Sequence, residues 1–385
     1  MRIFSEQEMQ RRTKWIAEKL ADRDLTVAFL HSADNVYYAT GVPLLSAWGR
    51  PMWAVVQGKS APIVIGAMLE KETMDHYGVV TEVRTYDDDA NVWSASLDIV
   101  SDIIRSQGQA LKRVGVELSI LPVAISESLK DRLGAELVEV SDILAEARLI
   151  KSDEEMQLLR LGGEIAKIGA STFVEEIAAG ASELTVAARS VAAMDIALAG
   201  LYAEGATSSY AYCQIADHTL TPHLHPTGRR IRRGDVIGLN VFPVIWGYCM
   251  ELERTYVYGE PTTRQVNALA AVNEAFGLGK SLLRPGKVIS EIHRESSAVL
   301  ERHGFGQYIR HGTGHAHGIM IGAAGREEFG ELRPYNHRTI QKGVINSIEP
   351  GLYIPDLGGF RHSDVMYVTT DGAECLTEFP IEIQF

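Results

Sequence analysis

The sequence predicts two domains in series: an α/β domain over residues 1–150 and an α+β domain over residues 151–385. Three observations carry this. The length of 385 residues suits one large domain or two ordinary ones. Up to residue 150, short apolar runs alternate with helical patterns. Beyond it, long helical patterns stand beside clustered strand-like runs, which describes helices layered on a mostly antiparallel sheet. With 46% apolar residues the chain can bury a real core.

In order along the chain, Ser5 and Glu8 form a capping-box pattern before a helix that runs to Ala21. Residues 25–31 are an apolar run with strand character, and residues 52–56, 62–65 and 79–86 read the same way. Residues 92–105 and 125–133 carry helical patterns. Asp87, Asp88 and Asp89 form a charge run, read as a solvated loop. The second domain opens at Lys151, with Ser152 or Asp153 as the N-cap of a long helix. Further helices are predicted over residues 183–198, 263–283 and 289–303, and strands over 236–244, 248–258, 343–347 and 362–369. No internal repeat is visible.

The net charge of −13 argues against nucleic acid as a partner and is read as a solubility device. Cys213, Cys249 and Cys375 are scattered without CxxC spacing, so a disulfide framework is not expected and a reducing cytoplasm is. The N-terminus has no apolar run of signal length. No continuous apolar stretch of about 18 residues occurs, so no membrane span is expected.

The residues able to do chemistry fall in the second domain. Asn240 lies in Gly238-Leu239-Asn240, followed by Glu251-Leu252-Glu253-Arg254-Thr255, His311-Gly312-Thr313-Gly314-His315, Ile348-Glu349-Pro350-Gly351 and Arg361-His362-Ser363-Asp364. Together these resemble the prolidase, methionine aminopeptidase and creatinase superfamily, whose catalytic domain has the pita-bread fold. The resemblance implies an α/β N-terminal domain followed by an α+β pita-bread catalytic domain. The peptidases of that superfamily hold two metal ions with two Asp, one His and two Glu. On this chain those positions are Asn240, Glu251, His315, Glu349 and Ser363. An amide and a hydroxyl thus replace two carboxylates. Hard divalent cations need anionic oxygen ligands, so a tight dinuclear centre is not expected, and neither a metal nor another cofactor is called for. The local wording is most similar to creatinase, the member that works without metal.

The resemblance also assigns roles. His223 falls where the superfamily keeps a substrate-facing His, and imidazole suits proton transfer near neutrality. Without the resemblance it would read as a loop His, and His225 is two residues away. Glu253 and Glu349 resemble the glutamates that hold a guanidinium, a planar cation suited to flanking carboxylates. Burying both requires a positive partner, which could be Arg254, a metal or the substrate. The competing reading is an ion pair of Glu253 with Arg254 or of Glu349 with Arg361. Glu251 is a departure, able to hold a cationic part of the substrate or a single ion with His315 and Glu349. Ser363 is placed in the pocket, while His362 faces the other side of a strand unless a bulge intervenes. Glycines 312, 314 and 318 argue against a helix around His315, so His311 and His315 need not share a face. Arg326 and Arg50 match arginines that bind a substrate carboxylate. Trp48 and Arg50 resemble a loop that reaches the neighbouring subunit's site, which implies a homodimer. Gly322 stands where proline peptidases place a second His.

The expected activity is metal-independent hydrolysis of a C–N bond in a small zwitterionic guanidino or amidine acid. Creatine cleavage to sarcosine and urea is the named expectation, and an ectoine hydrolase-like reaction belongs to the same group. The alternative is a metal-dependent Xaa-Pro aminopeptidase or dipeptidase with an altered metal site. A catalytically inactive member used for binding is the third reading.

Overall fold

A computed structural model of the chain describes residues 2–43, 49–89, 91–106, 111–201, 209–321 and 328–385. These fold as two units, the first ending at Arg148 and taking in a short segment from Ile319. In the first unit, helix α1 (Glu6–Ala21) begins where Ser5 Oγ accepts from the Glu8 amide. Strands β1 (Val27–Leu30), β2 (Trp53–Gln57), β3 (Ile63–Ala67), β4 (Glu82–Tyr86), β5 (Arg113–Val116) and β6 (Glu136–Glu139) form one sheet in the order β4-β3-β2-β1-β5-β6. β1, β2 and β3 pair antiparallel, and the outer strands join parallel. Helices α2 (Ala33–Thr40), α3 (Lys71–Tyr77), α4 (Val92–Ser106), α5 (Val123–Leu133) and α6 (Ser141–Leu149) complete the α/β pattern. Alternate residues Val27, Phe29, Trp53, Val55, Ile63 and Ile65 share one core with Val100 and Ile103 of α4.

In the second unit, α7 (Asp153–Ala178) starts with a complete capping box, Ser152 with Glu155. α8 (Glu183–Leu201) packs on α7 and on strand β7 (Tyr210–Ile215). By length and composition α8 could cross a membrane. Its first residue, Glu183, is instead a buried anchor, and Val186, Met194 and Leu198 form a buried face. It lies on the core through that face, and Arg189 and Asp195 interrupt its apolar residues so that they form no continuous stretch.

Strands β8 (Val236–Phe242), β9 (Val244–Ile245), β10 (Tyr248–Cys249) and β11 (Leu252–Val257) follow. After helices α9 (Thr263–Leu282) and α10 (Ile289–Arg302) come β12 (Ile345–Ile348), β13 (Gly351–Ile354), β14 (Gly358–Arg361), β15 (Ser363–Val368) and β16 (Ala373–Cys375). The main sheet runs β12-β15-β11-β8-β7, with β16 on β15, and every pair is antiparallel.

The expected strands over 236–244 and 248–258 are broken in the middle. Pro243 has no amide to donate and ends β8. β9 and β10 then make a tight hairpin through Trp246 and Gly247, both with positive φ, the geometry of a two-residue reverse turn. Met250 and Glu251 are left outside the ladder, so Glu251 is free of strand alternation. The β13–β14 hairpin and β7 lie outside the sequence expectations. Glycine hides β14: a Cβ on Gly359 would lie 2.0 Å from the Thr219 carbonyl oxygen, so the close approach demands glycine where strand propensity would disfavour it.

Candidate active site

Neighbouring positions on three adjacent strands bring the candidate residues together. Glu253 on β11 is paired with Asn240 on β8 and with Ser363 on β15. Side chains at such cross-strand positions share a face of the sheet. Glu251 joins them from the segment before β11, and its Oε1 accepts from Ser363 Oγ. His315 lies on an extended segment bridged to β12 through Ala316 and Asn346. A Cβ at Gly314 would meet the Ser347 carbonyl oxygen at 2.0 Å, so glycine there lets His315 lie this close to the sheet. Glu349 follows β12 directly, and its amide donates to the Thr313 carbonyl at 2.6 Å. Asn240, Glu251, Glu253, His315, Glu349 and Ser363 are all buried.

The positive group among these carboxylates is Arg361. Its Nη2 donates to Glu253 Oε1 and, at 2.9 Å, to Asn240 Oδ1. This is neither of the ion pairs weighed from sequence. Arg254 instead donates to Asp364 at 2.8 Å, with the other Asp364 oxygen taking Lys280 at 3.1 Å. Glu253 Oε2 has no hydrogen-bond partner among the described residues. Burial, together with the Glu251 and Glu349 carboxylates, pushes Glu253 well above the usual carboxyl range against the pull of Arg361. For Glu251, burial raises and the His315 and His317 imidazoles lower; the imidazoles prevail and hold it well below that range.

The five superfamily metal positions do not fit a pair of ions. Asn240 Nδ2 donates to Gln214 Oε1 at 2.7 Å and to the Tyr212 carbonyl at 3.2 Å, so only Oδ1 faces the pocket, and Arg361 occupies it. The guanidinium therefore supplies a fixed charge beside Glu253. Glu251 and His315 remain as donors, joined by His317, whose ligand atom lies within 4.8 Å of theirs. Oxygens of Glu251, Glu253 and Glu349 are gathered within the same limit.

His223 is exposed on the turn after a short 3-10 helix, Ala216–Leu220. The loop under it is tied down firmly. Gln214 Nε2 donates to the carbonyls of Pro222 and Leu224, both at 3.1 Å, on either side of His223. Glu183 accepts from the Ile215 amide at 2.8 Å, from the Thr227 hydroxyl at 2.6 Å and from His218 Nδ1 at 2.8 Å. His225 stacks edge-on against Tyr212. A chain of hydrogen bonds thus runs from Glu253 through Arg361, Asn240 and Gln214 to the His223 turn.

Other expected residues stand apart. His362 is buried on the far side of the strand, edge-on to Phe276, and burial pushes its imidazole down to about 3. No bulge turns it into the pocket. His311 Nε2 meets Tyr353 OH at 2.8 Å, a separate contact from the His315 group. Arg50, in the first unit, binds Asp88, so the aspartate run holds a side chain instead of being merely solvated. Trp48, Gly322 and Arg326 lie outside the described residues. Sequence reasoning missed Gln214, Glu183 and His317. His317 had a usable signal: two residues beyond His315 on an extended segment, it shares that face. Gln214 and Glu183 act through long-range contacts and had none.

Comparison with known proteins accords with this architecture. Residues 157–370 match the model of metallopeptidase family M24, and residues 12–150 match the creatinase/prolidase N-terminal domain. A creatinase of Bacillus sp. strain B-0618 is 28% identical, covering 98% of this chain and 92% of its own. A Xaa-Pro dipeptidase of Pyrococcus horikoshii is 25% identical over 97% of this chain and 99% of its own. The prolidase structure from Thermococcus sibiricus superposes with a TM-score of 0.84 at 22% identity, covering 97% of this chain and 98% of that one, and so shows the shared fold. The chain belongs to metallopeptidase family M24, a family of hydrolases with the pita-bread catalytic fold, here preceded by a creatinase/prolidase N-terminal domain.

Proposed function

We propose that the chain hydrolyses the C–N bond of a short peptide, as a dipeptidase or Xaa-Pro aminopeptidase with an altered metal site. The observation that carries this is the Arg361–Glu253 pair. A guanidino substrate needs two free glutamates to grip it, and one of the two already holds a guanidinium of the chain itself. Xaa-Pro dipeptidases among the relatives support the same reading. His223 is the proton carrier, held in place by Gln214, and Glu349 faces the substrate. Three free cysteines fit a reducing cytoplasm. A homodimer completed by Trp48 and Arg50 is part of the proposal and is checked by light scattering.

A second reading is hydrolysis of a guanidino or amidine acid, creatine first. The creatinase relative supports it, as does the surplus of carboxylates: Glu251, Glu253 and Glu349 face one arginine. A panel of Xaa-Pro and other dipeptides, creatine and related guanidino acids decides between the two. Release of free amino acids from a dipeptide is expected; urea from creatine with no peptide turnover would reverse the order. His223→Ala is expected to lower kcat at least about 100-fold, the scale of a lost general acid or base.

A further inference from the structure

We propose that Glu251, His315 and His317 hold one divalent first-row transition ion, of the zinc type, displaced from the paired-ion positions of the family. His317 is not among those five positions. His315 Nε2 lies 3.4 Å from Glu251 Oε2, and His317 Nε2 lies 3.5 Å from the same oxygen. Both exceed the roughly 2.7–3.2 Å of an ordinary N–H···O hydrogen bond. They match a different geometry: a tetrahedral ion with bonds of about 2.0–2.1 Å places its ligand atoms roughly 3.4 Å apart. His317 Nε2 is buried and makes no hydrogen bond to any described residue.

The surroundings prepare these atoms as ligands. His315 Nδ1 faces the Ala316 carbonyl at 3.0 Å, and His317 Nδ1 faces the Cys249 carbonyl at 3.4 Å. A proton on each Nδ1 leaves the Nε2 lone pairs for a metal, the second-shell arrangement typical of metal-binding histidine. Ser363 Oγ donates to Glu251 Oε1 and leaves Oε2 to the imidazoles. Glu349 Oε1, 3.8 Å from His315 Nε2, is a candidate fourth donor. Two imidazoles and a carboxylate suit zinc, cobalt or manganese better than magnesium or calcium. A single dication also offsets the excess of carboxylates over Arg361. Such an ion would specify the altered site on which the peptide reading rests, but its test reads binding and not turnover, so the two fail separately.

The full-length protein, stripped with a chelator and checked by circular dichroism, is titrated with cobalt(II) and, separately, with zinc by equilibrium dialysis. One equivalent is expected, with the intense visible bands of a four-coordinate cobalt site. His317→Ala and His317→Gln should each weaken binding by about 100-fold or more, beyond the 10–100-fold typical of an outer-shell partner. His311→Asn, outside the group, should not change it. In the wild type, zinc should raise the unfolding midpoint where magnesium does not, a measurement that stands even if both His317 variants fail to fold. No bound cobalt, two equivalents, unchanged affinity in a folded His317 variant, or no zinc-dependent shift would each overturn the site. Dipeptide turnover by protein that binds no ion would overturn it while leaving the peptide reading in place.

Discussion

Arg361 decides most at the residue scale. Its guanidinium donates to Glu253 Oε1 and to Asn240 Oδ1 and stands within 3.5 Å of Tyr353 OH. Removing it leaves the buried Glu253 and Asn240 oxygens without their donor and pushes the Glu253 carboxyl further up, and Arg361→Ala should destabilise the fold by about 1–3 kcal/mol in chemical denaturation, the cost of buried groups left unsatisfied. Arg361→Lys should recover part of the stability, because an ammonium keeps the charge but loses the planar fork. From sequence, Arg361 was visible as a neighbour of Ser363 and was weighed as a partner for Glu349. What could not be read was its reach from the end of β14 to Glu253 on β11, since long-range strand pairing sets that distance.

Elements, in turn, explain why the site residues converge although they are far apart in sequence. The sequence showed helices α7, α9 and α10 through caps and periodicity; α7 starts at the expected cap, and the ends of α9 and α10 fall within two residues of the expectation. It did not show β13 and β14, because their glycines serve close backbone approach. The same physics governs Gly314. In Gly314→Ala the new methyl would lie 2.0 Å from the Ser347 carbonyl oxygen, a backbone atom that cannot swing aside as the nearby Leu332 side chain could. The expected cost is about 2 kcal/mol or more in an unfolding titration, with His315 displaced. Gln214 works at this scale too, joining β7 to the loop that carries His223. Gln214→Leu should lower kcat about tenfold with a smaller change in KM, since it frees the proton carrier's loop while removing only the amide partner of Asn240 on the pocket side. An equal fall in kcat for Gln214→Leu in a His223→Ala background would show that Gln214 acts elsewhere.

For the whole molecule, the account is one of protons. His362 is held neutral in the fold with its imidazole at about 3, against an ordinary 6.5. Below pH 6.5 the unfolded chain gains a proton that the native state refuses, so His362 withdraws stability as pH falls from 6.5 toward 3. The slope is about 1.4 kcal/mol per pH unit for one proton. His362→Asn should lack that component, seen as the difference between its stability profile and that of wild type. Glu253 acts in the opposite sense: held above its ordinary 4.5, it contributes stability below that pH and withdraws it as pH rises toward its folded value. Glu253→Gln should flatten the alkaline side of the profile. The change of element pattern near residue 151 pointed to two domains, and the charge count showed an acidic chain, but these opposing titrations depend on which side chains are buried.

Arg361 has a consequence for any redesign of the site as well. With a guanidinium lodged against Asn240, restoring an aspartate there would create a second ion pair before it created a metal ligand. Restoring glutamate at Ser363 would force another anion against Glu251 and remove the hydroxyl that orients it. Neither replacement alone would therefore open a place for a second ion, because Arg361 already fills one position and Glu251 crowds the other.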